Sequence, residues 1–353
     1  MGSPADPYVR SGLPRKLRLT TSFGMRQAAY RFAIESGASG IAAWLQRRRA
    51  AILTYHGLIE REPPPELRPL YKIMVTADAF REQMQTLRSR YQVVPLEVLA
   101  RKLANGETVE HMAAVTFDDG WRSTRTLAAP ILHELGVPAT VFLATGMMDS
   151  DARGLWTQQV WTMLTATDTA RLSFAEIDLP SDTPMKRAAA VRRIVDALKK
   201  IPAVDRTMAI RELERRYGSG PRLADDMSFM TWKEVRELAP LGVDSGAHTV
   251  SHEILSRLDY EEAARQVKQS KADIEAALGR ECTLFAYPNG SPADFTDEHV
   301  TLMEKAGFLA AVTQIPGRNP ALIDRFRLRR FNVGLDHTLP SFTAELDGLR
   351  HWV

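Results

Sequence analysis

The chain has 353 residues, of which 25% are charged and 44% hydrophobic, and its formal net charge is +3. These ordinary values exclude a disordered, a collagen-like and a membrane-spanning chain, and the length allows one large α/β barrel or a main domain with appendages. Cys282 is the single cysteine, so an internal disulfide and a thiolate metal cluster are excluded as well.

The first fifty residues differ from the rest in charge. They carry nine Lys or Arg against Asp6 and Glu35, a net of +7, which leaves −4 for residues 51–353. Residues 1–20 lack periodicity and predict a mobile arm, and the segment from Gly24 to Arg49 predicts a short helical hairpin. We therefore expect residues 1–50 to form a basic N-terminal arm and helical extension.

This basic segment suggests where the protein acts. A basic amphipathic segment suits an anionic membrane surface, although a plain solvated helix face fits equally well. No nucleic acid is expected, because basic and aromatic residues do not alternate here. The sequence shows neither a signal peptide nor a run of about 18 apolar residues, so we expect a cytoplasmic protein, peripheral at the membrane at most.

From residue 51 onward, short apolar strands alternate with amphipathic helices. The first strand is "AAILTYHGL", and a loop with three successive prolines follows it. The next predicted elements are, in order, helix "ADAFREQMQTLRSR", strand "YQVVPL", helix "LEVLARKLANG", strand "MAAVTFDDG", helix "TLAAPILHELG" and strand "PATVFLAT".

The alternation is interrupted at about residues 149–226, where polar helices predict a helical insertion. It then resumes with helix "TWKEVRELAPLG", strand "VDSGAHTVSH", a helix from Tyr260 to Leu278, strand "TLFAYPNG", a helix ending at Gly307 and strand "FLAAVTQ". Such alternation specifies a parallel sheet or barrel, which we expect to span residues 51–353.

Polar clusters follow four of the predicted strands. In parallel α/β folds the carboxyl ends of the strands meet where sites are assembled, so each cluster strengthens the others. The clusters are Tyr55-His56-Gly57, Asp118-Asp119-Gly120, His248 to His252, and Tyr287-Pro288-Asn289-Gly290.

The acidic pair and the two histidines suggest a metal site. Asp118 and Asp119 repel each other when ionised, so they must lie in water or beside a positive group. His248 and His252 are four residues apart, and on one face of a helical turn they can reach a single cation. One carboxylate and two imidazoles make a three-ligand site, while the second carboxylate can take a proton from water. A helix-capping acidic turn and a pair of surface histidines are the structural alternatives.

The stretches "VTFDDG", "SGAHTVSH" and "FAYPNG", in this order, resemble the first three motifs of the polysaccharide deacetylases, the family-four carbohydrate esterases with a NodB homology domain. The resemblance covers about residues 51–335. It implies a distorted (β/α) barrel that removes acetyl groups from an acetylated glycan with one divalent metal, usually Zn²⁺. It also implies that Asp118 is the general base and that Asp119, His248 and His252 hold the metal.

The third motif implies the oxyanion and substrate contacts. The turn at Asn289 and Gly290 would offer a backbone N–H to the oxyanion, and the adjacent Tyr287 is a further substrate-binding candidate. The family often has Arg and Tyr in this motif, where the present chain has Ala286 and Asn289.

The chain also lacks a close match to the C-terminal Leu-His motif that often supplies the general acid, and His337 in "GLDHTLPSF" is a poor substitute. Instead, "LTYHGL" resembles the early Tyr-His motif of the exopolysaccharide and poly-N-acetylglucosamine deacetylase branch, which makes His56 the expected general acid. "RLRRFNV" resembles a late Arg motif of that branch, so Arg329 or Arg330 would orient Asp118, and we favour Arg330. A solvated or paired surface charge is the alternative for both arginines.

Three functions remain in view. A metal-dependent deacetylase of N-acetylated, or O-acetylated, sugars leads; the others are a related amidohydrolase on a non-sugar C–N bond and an inactive carbohydrate-binding barrel. We do not expect a glycosidase that uses Asp118 and Asp119 as its acid pair, because the two carboxyls of such an enzyme stand about 5 Å or more apart and face one bond. Three tryptophans are candidates to line a sugar groove, with core packing as the alternative: Trp121, Trp156 and Trp232.

Overall fold

The computed structural model describes residues 15–64, 67–150, 155–221 and 227–349. The chain divides into two compact units. The larger comprises residues 47–337, and the smaller comprises the described residues up to 46 and from 338 onward.

The smaller unit begins with the expected helical hairpin, α1 (Arg15–Glu35) and α2 (Ala38–Gln46). Helix α1 begins within the stretch that we expected to be a mobile arm, of which residues 1–14 lie outside the described residues. The hairpin leaves large apolar side chains between 57% and 72% exposed, namely Met25, Phe32, Ile41, Trp44 and Leu45.

The larger unit starts with β1 (Ala51–Tyr55), β2 (Leu58–Ile59), β3 (Val75–Thr76), α3 (Ala77–Arg90), β4 (Gln92–Val93), α4 (Leu96–Ala104), β5 (Met112–Phe117), α5 (Ala129–Leu135) and β6 (Ala139–Leu143). It continues with α6 (Trp156–Ala166), β7 (Arg171–Phe174), β8 (Ile177–Pro180), α7 (Pro184–Leu198), α8 (Ala203–Tyr217) and α9 (Trp232–Arg236). It ends with β9 (Val243–Ala247), α10 (Tyr260–Leu278), β10 (Leu284–Ala286), α11 (Asp297–Lys305), β11 (Ala310–Val312) and β12 (Phe331–Asn332).

The main sheet is parallel and has the strand order β11-β10-β9-β6-β5-β1-β12, with β4 also paired to β5. The chain before β12 returns to β11: the Leu328 N–H donates to the Ala311 carbonyl at 3.1 Å, and the Thr313 N–H donates to the Leu328 carbonyl at 2.8 Å. The sheet therefore curls round, and the predicted distorted (β/α) barrel is confirmed. Apolar side chains from several strands fill its core, among them Ile52, Ala114, Phe142, Leu284, Val312 and Leu328.

Local signals set the helix boundaries. Thr76 caps α3, its hydroxyl accepting from the Ala79 N–H at 3.3 Å. Asp259 caps α10 in the same way, accepting from the Glu262 N–H at 2.8 Å, and Gly279 ends that helix with a φ of +64°. Both helices have the bounds that the sequence predicts.

The insertion between β6 and α9 is helical, as expected, but it also contains the antiparallel hairpin of β7 and β8, which we did not predict. It has a hydrophobic cluster of its own, which includes Val160, Leu164, Leu172, Val191, Ile194 and Leu213. The insertion is therefore a packed structural element with its own hydrophobic core, and not an irregular loop of the barrel.

The chain returns to the smaller unit with α12 (Leu339–Asp347), which packs against α1 and α2. We expected this segment to belong to the barrel, whereas the structure groups it with the N-terminal helices. Within the described residues, no helix combines the length and the apolar character needed to cross a membrane.

Candidate metal and catalytic site

A cavity of about 510 Å³ lies where the barrel strands end. The residue after β1, His56, lines it, as do residues that follow β5, β9, β10 and β11. Each of the four predicted polar clusters therefore contributes to one cavity, through His56, Asp118, Asp119, His248, His252 and Asn289.

The acidic pair lies at the end of β5. The Asp118 N–H continues the strand ladder by donating to the Tyr55 carbonyl at 2.9 Å. The backbone then turns sharply, since Asp119 and Gly120 have φ values of +75° and +88°. The two carboxylates consequently have different partners, as we expected for adjacent residues that leave a strand.

Asp119 faces the two histidines. Its Oδ1 atom lies 3.5 Å from Nε2 of His248 and 3.3 Å from Nε2 of His252, and the three ligand atoms all lie within 4.8 Å of one another. The Oδ2 atom accepts a hydrogen bond from the Trp121 indole at 2.8 Å, whereas Oδ1 is buried without a hydrogen-bond donor. A buried acceptor without a donor is costly, and a cation among these three atoms would remove that cost. The donor set therefore fits a divalent metal.

The histidines are prepared as ligands by their surroundings. Nδ1 of His248 lies 2.7 Å from the Ala286 carbonyl, which can only accept, so Nδ1 carries a proton and Nε2 is the ring atom that faces Asp119. Burial alone would lower the pKa of His248, but the nearby Asp119 and Asp118 carboxylates raise it, so a metal at Nε2 would have to displace a proton. Desolvation by burial lowers the pKa of His252 to about 4, so its imidazole is neutral at pH 7. A neutral imidazole is the form that coordinates metals.

The loop that carries these histidines is not the helical turn that we predicted from their spacing. Thr249 and His252 have φ values of +63° and +57°, outside the helical range. The loop is held by the Gln266 carboxamide, whose oxygen accepts from the N–H groups of Val250 and Ser251 at 3.0 and 3.1 Å. This contact from α10, more distant in sequence, brings the two rings together.

Asp118 forms an ion pair with Arg330. The guanidinium donates to both carboxylate oxygens, at 2.8 and 2.7 Å, and both side chains are almost fully buried. The Gln314 amide donates a third hydrogen bond at 2.9 Å. Burial alone would raise the pKa of Asp118, but the Arg330 charge, assisted by His248, outweighs burial and holds that pKa below its ordinary value.

Arg330 is itself fixed by the barrel. Its Nε donates to the Thr313 carbonyl at 2.8 Å and its Nη1 to the Thr116 hydroxyl at 3.1 Å. Arg329, its neighbour, is exposed. Of the two arginines in the late motif, Arg330 therefore contacts Asp118, and the alternative of a solvated surface charge is excluded for it.

The two candidate histidines for the general acid lie in different places. His56 is half-buried in the cavity wall, and its Nδ1 is buried without a hydrogen-bond partner. His337 does not line the cavity; its Nδ1 accepts from the Gly334 N–H at 3.1 Å in a local turn. Position thus favours His56.

The third motif contributes less to the cavity than we expected. Asn289 lines it, with a φ of +59°. The Gly290 N–H donates to the Pro288 carbonyl at 2.7 Å, so it is not available to an oxyanion in this conformation. Tyr287 is 1% exposed and stacks on Phe295 with 4.2 Å between ring centroids, so the expectation that it binds substrate is wrong: the ring belongs to the core.

Sequence reasoning missed other residues of this site. Gln314 donates a hydrogen bond to Asp118 and follows β11, so its position after a strand end was an available signal.

The three candidate tryptophans lie in different places. Trp156 lines the cavity, Trp121 is fully buried and donates to Asp119, and Trp232 is half-buried and does not line the cavity. Arg206, from the insertion, lines the cavity with Glu253, and no sequence pattern indicated this contact.

Comparisons with known proteins agree with this geometry. Residues 105–311 match the family model for polysaccharide deacetylases. A curated Bacillus subtilis (strain 168) protein, YxkH, is 23% identical over 121 residues, which cover 34% of this chain and 42% of that protein, so the match spans less than half of the relative's length.

Solved structures show the same fold. The Streptococcus pyogenes deacetylase PplD, in complex with acetate, superposes with a TM-score of 0.57 at 18% identity, over 84% of this chain and 97% of that one. IcaB from Ammonifex degensii gives a TM-score of 0.54 at 17% identity, over 85% and 97% of the two chains. BC0361, a polysaccharide deacetylase from Bacillus cereus, gives 0.54 at 16% identity, over 84% and 69%.

The matched residues include the acidic pair, both histidines and the third motif, and they make up more than half of the chain. Sequence, fold and cavity therefore agree, and the chain belongs to the polysaccharide deacetylase family.

Proposed function

We propose that the protein is a metal-dependent hydrolase that removes acetyl groups, N-acetyl groups foremost, from an oligo- or polysaccharide. One observation carries the proposal: the Asp119, His248 and His252 donor set shares a cavity with the paired Asp118. A donor set for a cation and a separate ionised carboxylate are what hydrolysis of an amide by water requires.

We propose that Asp119, His248 and His252 hold the metal, and that the metal is Zn²⁺, because two imidazoles and one carboxylate are a common ligand set for zinc. When bound, such a cation polarises the acetyl carbonyl and makes water easier to deprotonate. Trp121 would hold one Asp119 oxygen in place, leaving the other oxygen directed at both histidines.

Asp118 is proposed as the general base. Its lowered pKa keeps it ionised at neutral pH, and the Arg330 fork fixes its orientation. The Asp118 carboxylate would take a proton from the attacking water. The Asn289 backbone N–H is proposed as the donor to the oxyanion, because the Gly290 N–H already donates to the Pro288 carbonyl.

His56 is proposed as the general acid. The tetrahedral intermediate releases acetate only when the amine nitrogen gains a proton, because an amide anion is a poor leaving group. His56 lines the cavity wall, and an imidazole is a side chain that can hold and deliver such a proton.

The test is acetate release from a panel of N-acetylated and O-acetylated glycans, with small cyclic amides alongside, before and after chelation. We expect release from N-acetylated oligosaccharides, loss on chelation and recovery on adding Zn²⁺. Hydrolysis of cyclic amides alone would assign the site to a non-sugar substrate. Binding of a membrane surface by residues 1–50 stays a prediction.

A further inference from the structure

The cavity has two walls of different origin. The barrel strand ends supply the polar residues, and the insertion supplies a stretch at the start of α6 together with Lys199 and Arg206. Among the described residues that line the cavity, Trp156 is the one with a large aromatic side chain. It is half-buried, because its ring also packs against the hydrophobic cluster of the insertion.

The Trp156 ring is held firmly in this wall. The Arg206 guanidinium lies 4.7 Å from the ring centroid. The same guanidinium donates to both carboxylate oxygens of Glu253, at 2.7 and 2.8 Å, and the two side chains are 6% and 19% exposed. Glu253 directly follows His252 in the sequence. The ion pair therefore connects the part of the insertion that carries Arg206 and Trp156 to the loop that carries the proposed ligands.

From this arrangement we propose that Trp156 is a stacking platform for a sugar ring next to the one that carries the acetyl group. The proposal rests on the proposed function and adds to it a residue of the insertion that contacts a second sugar of the substrate. The C–H face of a pyranose is apolar and slightly positive, so it matches the negative face of an indole. Because the ring is already fixed, little conformational entropy is lost when a sugar binds to it. The cavity volume of about 510 Å³ lies in the usual range for sites that enclose a ligand of drug size.

The test compares substrate length in variants of the metal-loaded full chain. N-Acetylglucosamine oligomers of one to five units, in both β-1,4 and β-1,6 linkages, are compared with 4-nitrophenyl acetate, which has no second sugar. Trp156→Leu keeps apolar volume but lacks a π face, and Trp156→Phe keeps one. The readout is the ratio of kcat/KM on an oligomer to kcat/KM on the nitrophenyl ester.

We expect this ratio to rise with chain length in the wild type and to fall by about twofold to tenfold in Trp156→Leu, the effect of one aromatic contact. Trp156→Phe should recover most of the loss. Trp232→Leu is the matched control, since Trp232 is also half-buried but does not line the cavity, and its ratio should equal that of the wild type.

An unchanged length dependence in Trp156→Leu, with normal metal content, would overturn the platform while leaving the deacetylase proposal intact. If the wild type released no acetate from any glycan, the deacetylase proposal would fail by itself. Saturation-transfer NMR with the same oligomers would then still test whether Trp156 stacks on a sugar ring. Weaker binding by Trp156→Leu would support the stacking role, and unchanged binding would refute it.

Discussion

Arg330→Leu is the substitution with the largest predicted effect on folding. It removes a guanidinium that contacts both oxygens of Asp118 at 2.8 and 2.7 Å, with both side chains at most 2% exposed. The carboxylate would then be buried without its counter-charge. Two unit charges about 4 Å apart attract by about 4 kcal/mol at an effective dielectric constant of about 20, and breaking a buried pair typically costs about 3 to 5 kcal/mol.

We therefore expect Arg330→Leu to lower the free energy of unfolding by about 3 to 5 kcal/mol, a large share of the roughly 5 to 15 kcal/mol of a typical domain. Urea unfolding followed by circular dichroism measures the change. Arg329→Leu is the matched control: the side chain is exposed, so its replacement should change stability by no more than about 0.5 kcal/mol. Adding Asp118→Asn to Arg330→Leu should recover part of the loss, because no charge is then left unpaired.

The loss of folding stability caused by Arg330→Leu should also depend on pH. The folded-state pKa of Asp118 is below its ordinary value, so the pair contributes stability above the ordinary pKa, about 4, and loses it as pH falls through the folded-state value. The stability difference between wild type and Arg330→Leu should thus be largest near pH 7 and shrink below about pH 4. An Arg330→Leu variant as stable at pH 7 as Arg329→Leu would refute this account of the pair.

Three further substitutions test the proposed roles. His252→Ala should lose most bound metal by mass spectrometry, whereas His133→Ala, at an exposed histidine, should keep it; equal metal in both would refute the ligand assignment. Asp118→Asn should retain metal but lose roughly two to four decades of rate, the usual contribution of a general base, and metal loss would instead mean that the two aspartates have exchanged roles. His56→Ala should lose more rate on N-acetyl substrates than on nitrophenyl esters, whose leaving group needs no proton; an equal loss on both would make His56 structural.

The sequence predicted the parts of the fold whose causes are local. Helices α3 and α10 have capping residues at the expected positions, and their bounds are as predicted. The short strands β2 and β3 and the hairpin of β7 and β8 were missed, because two to four residues are too few to show a periodic pattern.

The site was predictable where a strand end marks it, and not where the contact depends on packing. Asp119 and both histidines could be grouped through their motifs. The spacing of His248 and His252 suggested a helical turn, yet Gln266 on α10 imposes a different loop. Likewise, nothing local to Arg206 in the insertion indicates that it meets Glu253 beside the ligand loop.

Residues of the site occupy backbone conformations that L-amino acids disfavour: Asp119, Thr249, His252 and Asn289 all have φ between +57° and +75°. Each such position costs about 1 to 2 kcal/mol, which a glycine would largely avoid. At Asp119 and His252, however, glycine would remove the carboxylate and the imidazole that we propose as metal ligands. The protein therefore gives up folding stability to keep these side chains in place. Selection for stability alone would favour glycine at these positions, and the first residues lost would be the ones that define the motif.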